Sequence, residues 1–143
     1  AKRNIEQSYN EAKLEPNNVM ITRFDIERIN LILSKEDNVK RIYINFCNPW
    51  PKGKHRKKRL THTRQLEKYK EFLSENGEIY FKTDDDGLFE SSLGYFEEAG
   101  FKISNKTYDL HSEPIFERNI ETEHEKMFSE QGIKIKALIA KLK

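Results

Sequence analysis

The sequence of 143 residues contains a single cysteine, Cys47, and no apolar run long enough to span a membrane. One cysteine excludes an internal disulfide and a zinc cluster built on several cysteines, and it favours a reducing cytoplasm. A membrane helix needs about 20 apolar residues in succession, and the first residues carry no secretory signal pattern. These absences predict a cytoplasmic protein of single-domain size with no membrane segment.

The charge is nearly balanced overall, at a formal net value of +2, but it is segregated along the chain. Positions 52–59 (KGKHRKKR) hold seven basic side chains when the histidine is counted and no acid, whereas acids collect at 84–86 (DDD) and 121–125 (ETEHE). Such segregation predicts one surface that meets an anion and another that gathers carboxylates. The alternative is an ordinary solvated helix start at 52–59. The four histidines lack ligand spacing, so no metal site is predicted.

Helical and strand-like segments alternate along the chain. The pattern of apolar residues and of helix ends predicts helices at 4–12, 26–33, 64–75, 87–100 and 122–132. Runs rich in β-branched and aromatic residues predict strands at 18–24, 39–46, 77–83, 101–110 and 133–142. This alternation predicts an α/β fold with a mostly parallel sheet.

Polar side chains stand at or just beyond the ends of three predicted strands: Asp25, Asn48 and Asp84. In open α/β sheets, ligands bind beyond the carboxyl ends of the strands. We therefore expect these three side chains to face one crevice. For each residue alone, the alternative is a helix cap or an Asx-turn.

Several uncommon motifs follow one another in this chain. They are NFCNPWPKGKHRKKRL at 45–60, GEIYFKTDDDGLFE at 77–90, DLH at 109–111 and ETEHEKMFSEQG at 121–132. Together they resemble the bacterial tRNA (guanine-N7)-methyltransferases, which use S-adenosylmethionine and carry Asp-Pro-Trp-Pro-Lys, Phe-Lys-Thr-Asp and Thr-Glu-Tyr-Glu in this order. The match runs from about Asn18 to the C-terminus. It implies transfer of a methyl group from S-adenosylmethionine to N7 of a guanosine in tRNA.

The resemblance also implies a fold, a Rossmann-like class I methyltransferase sheet, mostly parallel with its last strand antiparallel and its strands in the order 3-2-1-4-5-7-6. The family has Gly-x-Gly-x-Gly after its first strand and a ribose-binding acid after its second, and this sequence has neither. We therefore expect residues 1–143 to be a single, N-terminally incomplete methyltransferase domain, the C-terminal two thirds without the first two strands. Segment 18–24 would then have no partner strand, and strand 39–46 would have an open edge.

Roles for individual residues follow from the resemblance. It implies cofactor binding by Asp25 and Asn48 and catalytic roles for Asn48 and Asp84. Its implied substrate-binding residues are Lys52, Asp84, Thr122, Glu123, His124 and Glu125. Its implied RNA-binding residues are Lys54, His55, Arg56, Lys57, Lys58 and Arg59.

Two positions depart from the family pattern. Asn48 replaces an aspartate, which keeps an acceptor oxygen and adds two donors but loses the charge. His124 replaces a tyrosine. Because some methyltransferases of exocyclic amines carry Asn-Pro-Pro-aromatic at this strand end, methylation of such an amine in a nucleic acid through Asn-Pro-Trp-Pro is one alternative.

An RNA-binding module without catalysis is the other alternative, in which the basic segment binds RNA and the acids only cap helices. Trp50 is compatible either with stacking on a nucleotide or with anchoring the turn between its two prolines. For His111 and Cys47 we expect a hydrogen-bonded loop histidine and a small buried side chain. A monomer and a homodimer are both compatible with the sequence.

Overall fold

The computed structural model describes residues 2–12 and 17–143. Its helices are α1 (Lys2–Glu11), α2 (Thr63–Lys70), α3 (Asp86–Glu98) and α4 (Glu123–Glu130). Its strands are β1 (Val39–Asn45), β2 (Leu73–Thr83), β3 (Phe101–Thr107) and β4 (Lys136–Leu142). Three short 3₁₀ helices span Ile26–Leu31, Lys35–Asp37 and Gly53–Lys58.

The four strands form one sheet in the order β1-β2-β4-β3. β1 pairs with β2 in parallel, and β4 is antiparallel to both β2 and β3. Three strands therefore point the same way and the last strand runs against them. The predicted α/β class, with a mostly parallel sheet and an antiparallel last strand, is confirmed. β1 lies at one end of the strand order, as an edge strand.

The two faces of the sheet carry different cores because successive side chains of a strand point to opposite faces. Ile79 and Phe81 of β2, both fully buried, pack with helices α2 and α3 on one face. On the other face, Tyr80 packs with a smaller cluster. That cluster contains Leu110, Phe116, Ile135, Ala137 and Ile139, with Phe46, Ile115 and Phe128 at its border. The segment between β3 and α4 thus covers the second face.

Most predicted helix ends are confirmed. The 3₁₀ helix Ile26–Leu31 begins after Asp25, whose carboxylate accepts a hydrogen bond from the Glu27 backbone N–H. α3 and α4 end shortly before Gly100 and Gly132, which have φ angles of 84° and 77°. That left-handed conformation costs a glycine little, so the chain can turn away from the helix there.

The predicted strand at 18–24 is not formed. Residues 19–24 follow no regular structure, and Met20 and Ile21 are 98% and 51% exposed. A strand is stable only when its backbone groups pair with a neighbouring strand, and none of the strands described here pairs with this segment.

The predicted helix at 64–75 is too long. α2 ends at Lys70, and β2 already begins at Leu73, because Phe72 and Leu73 are buried in the core of the first face. Asn76, with a φ angle of 61°, stands inside β2 rather than at a helix end. The pairing register with β1 is irregular at this point, so residues 74–77 form a bulge in the strand.

We predict that Gly77→Ala destabilises the fold, whereas Gly94→Ala in α3 stabilises it. A Cβ at position 77 would lie 2.4 Å from Cγ of the buried Leu73 and 2.8 Å from the Ser74 carbonyl oxygen. We expect this overlap to cost about 1–3 kcal/mol of unfolding free energy. A Cβ at Gly94 meets no atom within 4 Å, and alanine there should add roughly 0.5–1 kcal/mol. Urea unfolding of both variants measures the two changes, and equal effects would contradict the prediction.

Candidate functional site

The parallel pairing of β1 and β2 brings their carboxyl ends side by side. Asn45 is paired with Lys82 in this register, so the residues that follow each strand emerge at one edge of the sheet. Burial, with a smaller contribution from the negative charge of Asp84, raises the pKa of Cys47 to about 11. Asp84 directly follows β2, and Cys47, the residue directly before Asn48, stands two positions after β1, so both lie at this edge of the sheet. Cys47 is partly buried, as a small packed side chain should be.

The turn after β1 has an unusual backbone. Phe46 and Trp50, two bulky residues, have positive φ angles of 53° and 43°. Such conformations are uncommon outside glycine and concentrate at functional sites. Between them, the Asn48 side-chain oxygen accepts a hydrogen bond of 3.0 Å from the Trp50 backbone N–H. The turn uses the acceptor of Asn48, and the two amide donors of this exposed side chain have no partner among the described residues.

Asp25 directly precedes a residue that lines a cavity along β1. The neighbouring Ile26 lines, together with Cys47 and Asn45, a cavity of about 460 Å³ along the open side of β1. One carboxylate oxygen of Asp25 accepts a hydrogen bond of 3.0 Å from the Glu27 N–H. Asp25 and Asn48 thus both make the local capping contacts that we considered as an alternative, and each keeps other polar atoms available.

The basic segment folds as the 3₁₀ helix Gly53–Lys58, which follows the Pro-Trp-Pro turn directly. Two of its side chains contact Trp50: Lys58 Nζ lies 4.9 Å from the indole centroid, and the His55 ring meets the indole edge-on at 5.4 Å. The exposed basic residues are Lys52, Lys54, Arg56, Lys57 and Lys58. Within the described part of the chain, none of them forms a salt bridge. They form a concentrated cationic surface beside an aromatic ring.

Arg59 differs from the rest of the segment because its side chain is turned inward. It is only 8% exposed, and its guanidinium donates hydrogen bonds to the carbonyl oxygens of Pro49 and Trp50 and to the Tyr95 hydroxyl. The sequence resemblance implied an RNA contact for Arg59. In the structure its donors are engaged within the protein, and the RNA contact of Arg59 stays a prediction.

Glu125 is fully buried on the second face of the sheet. One of its oxygens lies 2.5 Å from Lys82 Nζ, and the other lies 2.7 Å from His111 Nε2 and 2.8 Å from Asn119 Nδ2. Burial alone would raise the pKa of Glu125, but these hydrogen bonds and the charge of Lys82 bring it below its usual value. Both oxygens are engaged, so Glu125 in this arrangement holds the protein together and does not present a free carboxylate.

Lys82, His111 and Asn119 complete this network, and sequence reasoning did not find their connection. The only available signal was strand periodicity, which puts Lys82 on the same face of β2 as Tyr80. As expected of a loop histidine, His111 is hydrogen-bonded, and Ser129 Oγ lies 3.3 Å from its Nδ1.

The other residues of the Thr-Glu-His-Glu segment are more accessible. Thr122 caps α4 by accepting a hydrogen bond of 3.2 Å from the Glu125 N–H. The ring centroid of the exposed His124 lies 6.4 Å from the ring centroids of Phe46 and Phe128. Glu123 is also exposed. Because Phe46 begins the turn after β1, His124 connects α4 to the strand edge that carries Asn48.

A cleft of about 300 Å³ lies beside this segment. Its polar lining comes from Asn45, Lys82, Arg118, Asn119 and Thr122. Arg118 is a basic residue that no sequence motif singled out. The cleft joins the end of β1 to the start of α4, the two places where substrate-binding residues were expected.

Asp84 and its neighbours are fixed by a second buried lysine. Lys136 of β4, 8% exposed, donates a hydrogen bond of 3.0 Å to the Asp84 carbonyl oxygen and forms an ion pair of 2.6 Å with Asp86. The Asp84 side chain itself accepts no hydrogen bond from the residues that the structure describes. It is a partly buried carboxylate that remains available to a ligand.

Membrane-spanning helices and metal clusters are both absent from residues 2–12 and 17–143. None of the helices there is both long and apolar enough to cross a membrane. The same residues contain no group of three or more His, Cys, Asp or Glu side chains arranged to hold a metal ion.

We predict that Lys82→Met destabilises the protein by about 3–5 kcal/mol, because it leaves the buried Glu125 carboxylate without its cation. The matched control is Arg64→Met, which breaks the exposed 3.5 Å pair with Glu27 and should cost at most about 1 kcal/mol. Urea unfolding gives both values. A double variant, Lys82→Met with Glu125→Gln, should recover part of the loss. No difference between Lys82→Met and the control would contradict the role of the buried pair.

Comparisons with known proteins give the chain its family. A family model described as "Putative methyltransferase" matches residues 2–138. The tRNA (guanine-N(7)-)-methyltransferase of Clostridium beijerinckii is 66% identical over 140 residues, which are 98% of this chain and 64% of that protein. The protein of the same name from Clostridium perfringens (strain 13) is 58% identical over 99% of this chain and 64% of its own length, and that of Acetivibrio thermocellus is 50% identical over 100% and 65%.

Among solved structures, the fibrillarin pre-rRNA processing protein of Methanococcus jannaschii superposes with a TM-score of 0.54 at 16% identity, covering 99% of this chain and 53% of that one. At this identity the likeness shows a shared fold only. This chain spans about 64% of the length of the curated Clostridium relatives. With the family model matching nearly all of its residues, the chain belongs to this methyltransferase family.

Proposed function

We propose that the full-length protein transfers a methyl group from S-adenosylmethionine to N7 of a guanosine in tRNA, and that residues 1–143 supply the C-terminal part of its single catalytic domain. The observation that carries this proposal is the 66% identity, over 98% of this chain, to a protein named tRNA (guanine-N(7)-)-methyltransferase. The polar residues at the strand edge support it with suitable chemistry. Because tRNA works in the cytoplasm, we expect the reaction there.

The cofactor would meet Asp25 and Asn48. S-adenosylmethionine supplies an electrophilic methyl group on a positively charged sulfur. Asp25 and Asn48 each stand next to a residue that lines the cavity along β1, Ile26 and Cys47 respectively. None of the described residues donates to the second carboxylate oxygen of Asp25, which could accept a hydrogen bond from the adenine side of such a molecule. These residues fit one part of the cofactor. The six glycines of this chain form no Gly-x-Gly-x-Gly turn. Residues 1–143 therefore do not supply the turn at which the backbone comes close to the cofactor.

The target atom determines what the site must do. Guanine N7 is an acceptor with a free lone pair, so no proton has to be removed before it attacks the methyl group. The protein must hold the base in line with the methyl group and keep it still. The two amide donors of Asn48 suit the guanine O6 acceptor beside N7, and the Asp84 carboxylate suits the N1–H and N2–H₂ donors. The two residues would then hold neighbouring parts of one base.

The segment at the start of α4 would close the substrate side. Thr122, Glu123 and His124 border the cleft or face solvent, and Glu125 keeps the segment in place through its buried hydrogen bonds. Lys52, at the end of the Pro-Trp-Pro turn, would reach the same nucleotide from the other side.

The basic 3₁₀ helix would bind the RNA backbone. Neutralising phosphates with lysine and arginine releases counterions and makes affinity depend steeply on salt. The residues available for this are Lys54, His55, Arg56, Lys57 and Lys58. Trp50, with Lys58 and His55 against its ring, is partly exposed and offers a face on which a base can stack.

A second candidate, methylation of an exocyclic amine of a nucleic acid, is favoured by one observation. Asn48 stands where the resemblance expects an aspartate, and its amide is neutral. The position of the methyl group in the product separates the two candidates.

We expect the full-length protein, given S-adenosylmethionine and tRNA, to produce 7-methylguanosine, measured by mass spectrometry of nucleosides. Asp84→Ala should lower turnover by at least roughly tenfold, since guanine donors would be left unpaired at a cost of about 1–3 kcal/mol. Glu97→Ala is the matched control: this acid is exposed near the far end of α3 and should leave turnover unchanged.

Two other outcomes would replace the proposal. A methyl group on an exocyclic amine would support the second candidate. Binding of tRNA with no methyl transfer under any condition would indicate an RNA-binding module. Unchanged turnover in Asp84→Ala would remove this residue from the site but leave the reaction itself standing.

We also predict that replacing Lys57 and Lys58 with alanine weakens tRNA binding. The slope of the logarithm of the binding constant against the logarithm of the salt concentration should become shallower by up to about two, at most one for each phosphate that is no longer neutralised. Binding is measured by fluorescence anisotropy from low to moderate salt. The control is Lys102→Ala with Lys106→Ala, which removes the same charge from exposed positions on β3 at the other end of the sheet. If both double variants change the slope equally, the 3₁₀ helix has no special part in binding.

A further inference from the structure

The turn that carries Asn48 is closed by Arg59, ten positions beyond Pro49. Arg59 Nε lies 3.0 Å from the Pro49 carbonyl oxygen, and Nη2 lies 3.2 Å from the Trp50 carbonyl oxygen. The third contact, from Nη1 to the Tyr95 hydroxyl, is 3.0 Å long and reaches α3. One guanidinium thus joins the start of the Pro-Trp-Pro turn to the helix layer.

The partners of Arg59 are unusual for a buried arginine. They are two carbonyl oxygens and a phenol, and within residues 2–12 and 17–143 no carboxylate forms a salt bridge with it. The fixed planar fork of a guanidinium can serve three such acceptors in different directions, which a lysine ammonium on a flexible stem does not reproduce. This position therefore requires the planar geometry of a guanidinium and does not depend on pairing with a carboxylate.

The chain that follows Arg59 is itself firmly held. The Leu60 carbonyl oxygen accepts a hydrogen bond of 3.0 Å from the Tyr69 hydroxyl of α2, and Thr61 Oγ1 lies 2.6 Å from Ser92 Oγ of α3. Arg59 and Thr61 are buried. The contact from Arg59 back to Trp50 therefore connects a rigid part of the first face to a turn whose Trp50 has a positive φ angle.

We propose that Arg59 is a positioning residue. It holds the strained Pro-Trp-Pro turn in the conformation that presents Asn48, and it couples this turn to the RNA-binding 3₁₀ helix, which lies between the turn and Arg59 in the chain. The inference rests on the proposed function for its effect on turnover. It gives Arg59 a role that differs from that of Lys57 and Lys58, although all three belong to one basic segment. Those lysines bind the RNA, whereas Arg59 would align what the bound RNA meets.

Two substitutions in the full-length protein separate positioning from RNA contact. Arg59→Lys keeps the charge but loses the fork, and Arg59→Gln loses the charge as well. For a positioning residue, both variants should lower kcat on saturating tRNA by roughly ten- to hundredfold, the usual effect of a small misplacement. Neither should change the salt slope of tRNA binding. Lys58→Gln should do the reverse, with a flatter slope and a smaller loss of kcat.

The matched control is Arg64→Lys, because Arg64 is exposed on the neighbouring helix and, among the described residues, its side chain has one partner, an ion pair with Glu27 that a lysine can also form. Its kcat and slope should equal those of the wild type. An Arg59→Lys variant with wild-type kcat, or an Arg59→Gln variant with a flatter slope, would overturn the proposal and return Arg59 to the RNA surface.

Amide hydrogen exchange provides a test that does not need activity. In both Arg59 variants, residues 48–58 should exchange faster, while β2 and β4 stay protected as in the wild type. Unchanged exchange at 48–58 would overturn the proposal. If the wild type proves inactive on tRNA, the proposed reaction fails, and the exchange rates still decide whether Arg59 holds the turn.

Discussion

The Lys82–Glu125 ion pair joins the centre of the sheet to the last helix at a point that water does not reach. Lys82 belongs to β2, which has a partner strand on both sides, and Glu125 lies in the first turn of α4. Lys82 Nζ also donates to the Asn119 side chain and to the Ile120 carbonyl oxygen, at 3.1 and 2.9 Å. The connection between β3 and α4 is therefore fastened to the sheet at several points. The cleft beside Thr122 depends on this attachment for its shape.

A buried ion pair is a weak source of net stability, because removing two charges from water costs nearly as much as their attraction returns. Its effect is a preference for one arrangement, since any structure that separates the partners leaves a charge unpaired in the interior. Lys136 differs, because the Asp86 side chain that it pairs with is 81% exposed, and its contact with the Asp84 carbonyl oxygen anchors the segment after β2. Glu125 thus has its partners inside the protein, whereas the exposed bases at 52–58 form no salt bridge with any residue that the structure describes. Because no acid stands among these bases in the sequence, a chain with a net charge of only +2 can still present a local cationic surface.

Local signals predicted much of the fold. The β-branched run at 39–46 and the glycines after α3 and α4 act on their own neighbourhood, so sequence periodicity and turn chemistry found them. Predictions failed where the outcome depended on distant residues. Segment 18–24 has the composition of a strand but pairs with none of the described strands, and Phe72 and Leu73 left the predicted helix because the core holds them. The contacts of Arg59 with Tyr95 and of Glu125 with Lys82 also join distant residues, and no local pattern shows them.

Asn48 illustrates why composition at a strand end is not enough to define chemistry. Its side-chain oxygen accepts the Trp50 N–H, a contact that an aspartate would make equally well. The backbone of the turn therefore does not distinguish the two residues. They differ in the group that the turn does not use. In asparagine this is an amide NH₂ with two donors, and in aspartate it is a charged oxygen acceptor. A change between them alters the polar atoms presented at the strand edge while the turn and its Arg59 contacts stay the same. The departure from the family pattern at this position thus changes the chemistry of that edge and not the fold.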